Sequence, residues 1–178
     1  MRVYLGDKPI EVFGNRLRPG DTLGGNFVLP AAYNTKSPLR KKQIANGLVI
    51  LSTLPNIKSN ECSTQILDLE REVIARKLKA KIFHIACDCP EHWQEVRHLH
   101  PFLKAKGYTF EDADNNQIET FKNELGVGVK GSKRIVHGLF AFLDGKLLSA
   151  YVPRQQYGVP NVKRFLDSLA PNQKLLSI

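Results

Sequence analysis

The sequence predicts an α/β protein: a mixed β-sheet flanked by helices, preceded by an N-terminal β-hairpin. Three observations predict it. GLVILSTL at 47–54 and KIFHIA at 81–86 are apolar enough to be buried on both faces, as central strands are. The segment 60–79 between them has helical apolar spacing, which completes a βαβ unit. GLFAFLDGKLLSAYV at 138–152 folds about Asp144-Gly145, a dipeptide suited to a tight hairpin turn. A parallel unit joined to an antiparallel hairpin gives a mixed sheet.

The elements follow in chain order. RVYL and KPIEVFG flank Gly6-Asp7 and form the first hairpin. Pro19-Gly20 marks another turn, and 26–29 a short strand. The first buried strand, 47–54, ends at Pro55. In helix 60–79, Ile66, Leu69 and Val73 form one apolar stripe, with Leu67, Ile74 and Leu78 beside it. Strand 81–86 follows. Helix 90–99 has Pro90 in its first turn, where proline costs least, and Pro101 stops it. Helix 116–126 closes on Gly126. After the 138–152 hairpin, a last helix over 159–169 turns Val162, Phe165, Leu166 and Leu169 inward. The sequence shows no repeat, no low-complexity tract and no linker. One domain over 1–178 is expected.

The 178 residues are 42% hydrophobic and 24% charged, within the range of soluble globular proteins. No apolar run is long enough to cross a bilayer, so no membrane partner is expected. The start, MRVYLGDKPIEVFG, lacks a signal-peptide core, and three cysteines are too few for a disulfide scaffold. A reducing cytoplasm fits this usage, and there a thiol is catalytic or redox-active more often than it is structural. The net charge of +9 raises nucleic-acid binding. The basic clusters, TKSPLRKKQ at 35–43 and VKGSKR at 129–134, lack the interleaved aromatics of a single-strand platform. They read as solvated loops, and no nucleic-acid partner is expected.

The chemistry concentrates in LSTLPNIKSNECSTQ, 51–65. A buried strand breaks at Pro55, and Cys62 arrives where a helix begins, among Glu61, Ser63 and Thr64. Those neighbours favour water, which makes a reactive thiol a better reading than core filler. At a helix N-terminus the free N–H groups and the dipole favour the thiolate, so a lowered pKa is expected. Glu61 opposes this and Lys58 offsets Glu61. The other two cysteines, Cys87 and Cys89, follow strand 81–86. Cys87 and Cys62 therefore fall at one edge of the sheet. Cys87 and Cys89 could also bridge each other or stand as ordinary thiols. His84, Cys87, Cys89 and His92 form a symmetric array with soft ligands suited to zinc or copper. His84 and Cys87, however, point to opposite faces of a strand, so neither a metal nor any other cofactor is expected.

The element order is that of a thioredoxin-like fold. VYLGDKPIEVFGNRLRPGD, LSTLPNIKSNECSTQ, FEDADNNQIETFKNELGV and LDGKLLSAYVP together resemble the bacterial thiol peroxidase branch of the peroxiredoxins, nearly end to end. The most specific piece is the pattern Pro-x-x-x-Thr/Ser-x-x-Cys, met by Pro55, Ser59 and Cys62. The resemblance implies a thiol-dependent peroxidase acting on hydrogen peroxide or organic hydroperoxides. Cys62 would be the nucleophile, Ser59 its hydroxyl partner and Pro55 the former of the pocket. An external thiol such as thioredoxin would be the reductant, and the resemblance implies a homodimer.

The chain departs from the family pattern at several positions. The usual Asp-Thr pair is Lys58-Ser59. The resolving-cysteine position falls near Arg97. The active-site arginine position falls at Gly138, beside His137, and a further arginine is replaced by Leu67. Arg134, His137 and Arg154 are the candidates for the arginine's electrostatic role. Cys87, and after it Cys89, are the candidates for resolution, with an external thiol preferred. The departures support two alternatives. One is a protein of this fold with weak or no peroxidase activity, acting as a redox sensor or interaction module. The other is a metal-binding module built on Cys87 and Cys89.

Overall fold

The computed structural model describes residues 1–172. The last six residues of the expected 1–178 domain lie outside the described residues. Among the described residues, eleven strands and four α-helices follow one another: β1 (Arg2–Leu5), β2 (Lys8–Phe13), β3 (Val28–Leu29), β4 (Ala31–Tyr33), β5 (Leu39–Arg40), β6 (Leu48–Leu54), α1 (Asn60–Ala75), β7 (Ala80–Ala86), α2 (Pro90–Leu99), β8 (Lys106–Thr109), α3 (Asn115–Leu125), β9 (Gly128–Val129), β10 (Gly138–Leu143), β11 (Lys146–Tyr151) and α4 (Val162–Asp167). The main sheet has the order β11-β10-β6-β7-β8-β4. Strands β6, β7 and β8 are parallel; β10, β11 and β4 join antiparallel. The mixed α/β sheet and the N-terminal hairpin agree with the sequence reading. The β1–β2 hairpin continues through β9 into a small second sheet.

All seven residues of β6 are buried, as expected of a central strand. Its alternate side chains serve the two faces of the sheet. Val49 and Leu51, with Phe83 and Ile85 of β7, pack against Ile118, Phe121 and Leu125 of α3 and Val3 and Val12 of the N-terminal hairpin. Leu48, Ile50 and Ile82 pack on the other face against Leu69 and Val73 of α1 and Phe165 and Leu166 of α4. At the carboxyl end of the parallel strands, Leu54 and Ala86 meet Ile57, Cys62, Ile66 and Trp93 in a third cluster. That end of the sheet is where the loop after β6 delivers Cys62. Gly107 of β8 is required there, because a Cβ would lie 2.8 Å from the Trp93 ring.

Several sequence expectations need correction. Helix α1 ends at Ala75 rather than at 79, because Lys77 takes a left-handed φ of 53°. Leu78 is still buried, but it follows the helix. The second apolar stripe does not close inward: Ile74 is 64% exposed and Leu67 is half-buried. The last helix is shorter than 159–169, starting only after Asn161, whose side chain accepts the Arg164 N–H. Strands β4 and β8 were not legible. Each has three or four residues, and β4 pairs only at an edge of the sheet.

Candidate active site

The loop after β6 is fixed at three points. The Ile57 N–H donates to Asp88 Oδ2 at 2.8 Å, tying the loop to the end of β7. The Ser59 N–H donates to the Asn56 carbonyl at 3.0 Å, which closes a turn. The Pro55 carbonyl accepts from Arg134 Nη1 at 2.6 Å. Ser59 then has extended backbone and caps α1, its Oγ accepting the Cys62 N–H at 3.2 Å. Ser, Asn and Asp favour this position because their oxygen satisfies an amide the helix leaves free. Cys62 is thereby held in the first turn of α1, as the sequence predicts.

The surroundings of its thiol differ from the sequence reading. Cys62 is fully buried against Leu54, Ile57, Ile66 and Trp93. Burial pushes the thiol up to about 11. Hydrogen bonding from Ser59 and the Asn56 backbone lowers it, while Asp88 and Glu61 add to the rise. The expected lowered pKa is therefore corrected: removal from water disfavours the thiolate more than the helix start favours it. The neighbours Glu61, Ser63 and Thr64 lie along the rim, and only Cys62 turns inward. Lys58 reaches Glu95 of α2 at 4.0 Å, so its charge has an exposed partner other than Glu61.

Of the three candidates for the arginine's role, the structure brings two to this loop and helix. Arg134 holds Pro55 through its guanidinium. His137 is buried, and its Nδ1 lies 2.7 Å from Gln65 Oε1, one turn after Cys62 on α1. Gln65 Nε2 donates in turn to Ser52 Oγ at 2.8 Å. The third, Arg154, is corrected: its guanidinium stacks on Tyr4, 5.4 Å from the ring centroid, and its backbone carbonyl accepts the Tyr4 N–H. It serves the N-terminal hairpin. Gly138 has no room for a longer residue, since a Cβ would lie 2.6 Å from the Phe140 ring and 2.9 Å from Thr53 Oγ1. Sequence reasoning missed Ser52, Gln65, Asp88 and Gln156, whose Oε1 accepts the His137 N–H at 2.7 Å. Two were signalled: Ser52 interrupts the apolar run of β6, and Gln65 falls on the inward face of α1 beside Ile66 and Leu69.

All three cysteines are free. Cys87 follows β7 and is half-buried, its Sγ donating to the Lys133 carbonyl at 3.6 Å. It packs against the α3 side of the sheet, whereas Cys62 lies in the cluster with Trp93. Burial pushes the Cys87 thiol up to about 12. Cys89 is the N-cap residue of α2 and approaches Glu91 and Glu111, their ligand atoms all within 4.8 Å of one another. His84 is sealed beside Trp93, and neither ring nitrogen has a partner among the described residues. The His84, Cys87, Cys89, His92 array is thus split between the two faces of the sheet. Arg97, at the family's resolving position, is exposed on α2.

No family model matches the sequence, and no curated protein does. Solved structures do match. A thiol peroxidase from Chromobacterium violaceum superposes with a TM-score of 0.78 over 98% of each chain, at 16% identity. The chain has the peroxiredoxin fold. A peroxiredoxin-like protein from Aquifex aeolicus gives a TM-score of 0.70 over 94% of this chain and 96% of its own, at 14% identity. AhpC from Enterococcus faecalis gives 0.70 over 88% and 93%, at 15% identity. Within this peroxiredoxin fold, the arrangement offers a cysteine sulfur in a helix first turn, a hydroxyl at its amide, and a guanidinium on the preceding loop. A buried imidazole–amide–hydroxyl chain lies alongside. Such a set can deliver sulfur to an electrophilic oxygen, provided that the thiol proton has somewhere to go.

Proposed function

We propose that the protein is a thiol-dependent peroxidase that reduces hydrogen peroxide or small organic hydroperoxides through Cys62. One observation carries the reading: in a chain with the peroxiredoxin fold, Cys62 sits in the first turn of α1 with the Ser59 hydroxyl on its amide. Pro55 shapes the loop, and Arg134, anchored on the Pro55 carbonyl, supplies the positive charge. The product at Cys62 is a sulfenic acid. An external thiol, such as that of a thioredoxin, returns it to the thiol, in a cytoplasmic setting and as a homodimer. The test is peroxide consumption by purified protein with and without a thioredoxin system, with a sulfenic-acid trap and mass spectrometry. Trapping on Cys62 first supports the reading; first oxidation at Cys87 or Cys89 rejects it.

The buried thiol, pushed up to about 11, favours a second reading. A protein of this fold with slow turnover would serve as a redox sensor. Oxidation of Cys62 that is stoichiometric, without sustained turnover under any thiol reductant, distinguishes it.

A further inference from the structure

The second apolar stripe of α1 faces out of the core and into a cleft. Leu67 is half-buried and Ile74 is 64% exposed. Opposite them, the end of α2 and the segment after it present Leu99, 67% exposed, and Phe102, 91% exposed. Leu67, Ile74, Leu99 and Phe102 line one cavity of about 360 Å3. A second cavity, of about 330 Å3, shares Glu70 and Ile74 with the first. It continues past Leu78, Ile82 and Ala105 to Lys81, Lys104 and Lys106. The two make one groove that follows α1 from Leu67 to its end, about 12 Å at the helical rise, and goes on to the start of β7. Single exposed apolar side chains are ordinary, but a lined run of them marks a surface that something covers.

The groove is built before anything enters it. Glu70, itself buried, accepts the Lys104 N–H at 2.6 Å and the Ala105 N–H at 3.3 Å, which pins the far wall to α1. Asn34 Nδ2 donates to the Leu103 carbonyl at 2.7 Å and holds that wall from behind. Glu70 is the one acid among the lining residues, and its two oxygens are spent on those amides. The rim is basic: Lys81, Lys104 and Lys106 are exposed at one end and Arg71 at the other. Lys81 Nζ reaches a neutral group, the Asn46 carbonyl, at 3.3 Å. Asp68 and Glu72, the neighbouring acids of α1, line a separate cavity towards α4, with Arg71 between the two.

We propose that this groove docks an amphipathic, acidic helix of a partner protein. The apolar residues of such a helix fill the space between α1 and Phe102, and its carboxylates meet the lysine rim. Helix-in-groove recognition uses this combination, an apolar stripe laid into a preformed cleft. Preorganised walls lower the ordering cost of binding. A second copy of this chain fits less well. A two-fold contact sets a patch against itself, so Arg71, Lys104 and Lys106 would meet their own kind in a chain of net charge +9. A flat bilayer surface would reach Phe102 but not the floor between the two walls. The groove shares α1 with Cys62 and uses none of the residues placed around its sulfur.

The test is fluorescence anisotropy with a labelled helical peptide of about three turns, leucine on one face and glutamate on the other. It should bind the parent protein at least about tenfold more tightly than the same peptide with lysine for glutamate. Lys104→Glu with Lys106→Glu should reverse that preference. Phe102→Ser, at an exposed position, should leave the fold intact and abolish saturable binding. Amide shifts of the parent protein on titration with the glutamate peptide should cluster at 67–78 and 99–106, a readout that needs no variant. Failure of the glutamate peptide to bind, equal binding of the two peptides, binding unchanged by Phe102→Ser, or shifts confined to other regions overturns the proposal. Sedimentation that finds the parent dimeric and Phe102→Ser monomeric assigns the face to a second copy and overturns it as well. So does binding to phosphatidylglycerol vesicles that Phe102→Ser removes, where the peptide does not bind.

Discussion

The Arg134 guanidinium donates to the Pro55 carbonyl at 2.6 Å, across a sequence separation of 79 residues. It carries a positive charge from the loop before β10 onto the segment that leads into Cys62. Gly138, four residues later, is crowded by Phe140 and Thr53 and cannot supply that charge itself. The charge therefore reaches the loop from a different residue, at a backbone oxygen. A fork of donors suits this better than a single ammonium.

Replacing Arg134 by alanine should slow Cys62 oxidation roughly tenfold, equivalent to about 1.4 kcal/mol, the scale of one hydrogen bond from a charged donor. Because Arg134 is exposed, the melting temperature should hardly move. Arg134→Lys should recover part of the rate. Stopped-flow oxidation beside a thermal melt checks both. A large loss of stability with an unchanged rate would make Arg134 purely structural.

Ser59→Ala removes the oxygen that accepts the Cys62 N–H. Loss of such a cap costs about 1 kcal/mol of stability. The circular-dichroism spectrum should stay folded, while peroxide oxidation of Cys62 slows. Oxidation at the parent rate would remove Ser59 from the mechanism.

The buried thiol also sets an alkaline limit. A Cys62 thiol at about 11 lies above its unfolded value near 9, so the neutral form is the one folding favours. Its contribution is fully present below pH 9 and is lost as pH rises from 9 towards 11. Two units correspond to about 2–3 kcal/mol, as an order of magnitude. Chemical denaturation of the parent and of Cys62→Ser across that window should show a shallower slope for the variant. Iodoacetamide labelling of Cys62 should still be accelerating above pH 9. A plateau below pH 8 would mean that the thiolate is stabilised after all.

His84 sets the acid limit. It is buried without hydrogen-bond partners among the described residues, and burial lowers it to about 3. The unfolded chain takes up a proton near pH 6.5 that the folded chain refuses. The stability contribution is present above pH 6.5 and is lost as pH falls towards 3. His84→Leu removes two unpartnered nitrogens and this proton uptake together. Its stability should fall less steeply between pH 6.5 and 3 than the parent's, as measured by urea denaturation. An unchanged slope would indicate that water or another group satisfies the ring.

Long-range placement was the part least legible in the sequence. The apolar runs of β6 and β7 and the Asp144-Gly145 turn each signal their structure locally, and the strands β11, β10, β6 and β7 of the main sheet follow from them. Ser59 and Cys62 share one helix start, so spacing alone puts them together. Arg134, His137 and Asp88 meet the loop only through the pairing of β10 with β6 and of β7 with β6. No local pattern separates Arg134 from Arg154, and only the fold sends one to Pro55 and the other to Tyr4. The depth of Cys62 was misread for a related reason. Its polar neighbours describe the rim of the helix start, while Trp93, thirty-one residues away, covers the sulfur's side.

Resolution of the oxidised cysteine is where placement decides most. Cys62 and Cys87 follow adjacent parallel strands, yet they pack in different clusters on the two faces of the sheet. A disulfide needs Cα atoms within about 7 Å and side chains pointing at each other. Turning Cys62 towards Cys87 would withdraw it from Leu54, Ile66 and Trp93 and uncap α1 at Ser59. Cys89 opens α2 beside Glu91 and Glu111; desolvation first, and then these two acidic groups, raise its thiol and disfavour its thiolate. Attack by an external thiol avoids both costs, and under the proposed peroxidase reading a single cysteine would then serve the whole cycle. One equivalent of peroxide without added thiol should leave Cys62 as sulfenic acid, and further equivalents should carry it to sulfinic acid. Non-reducing peptide mapping reads the outcome. A dominant Cys62–Cys87 or Cys62–Cys89 peptide would show that α1 opens readily enough to bring sulfur across the sheet edge, and the external route would then be wrong.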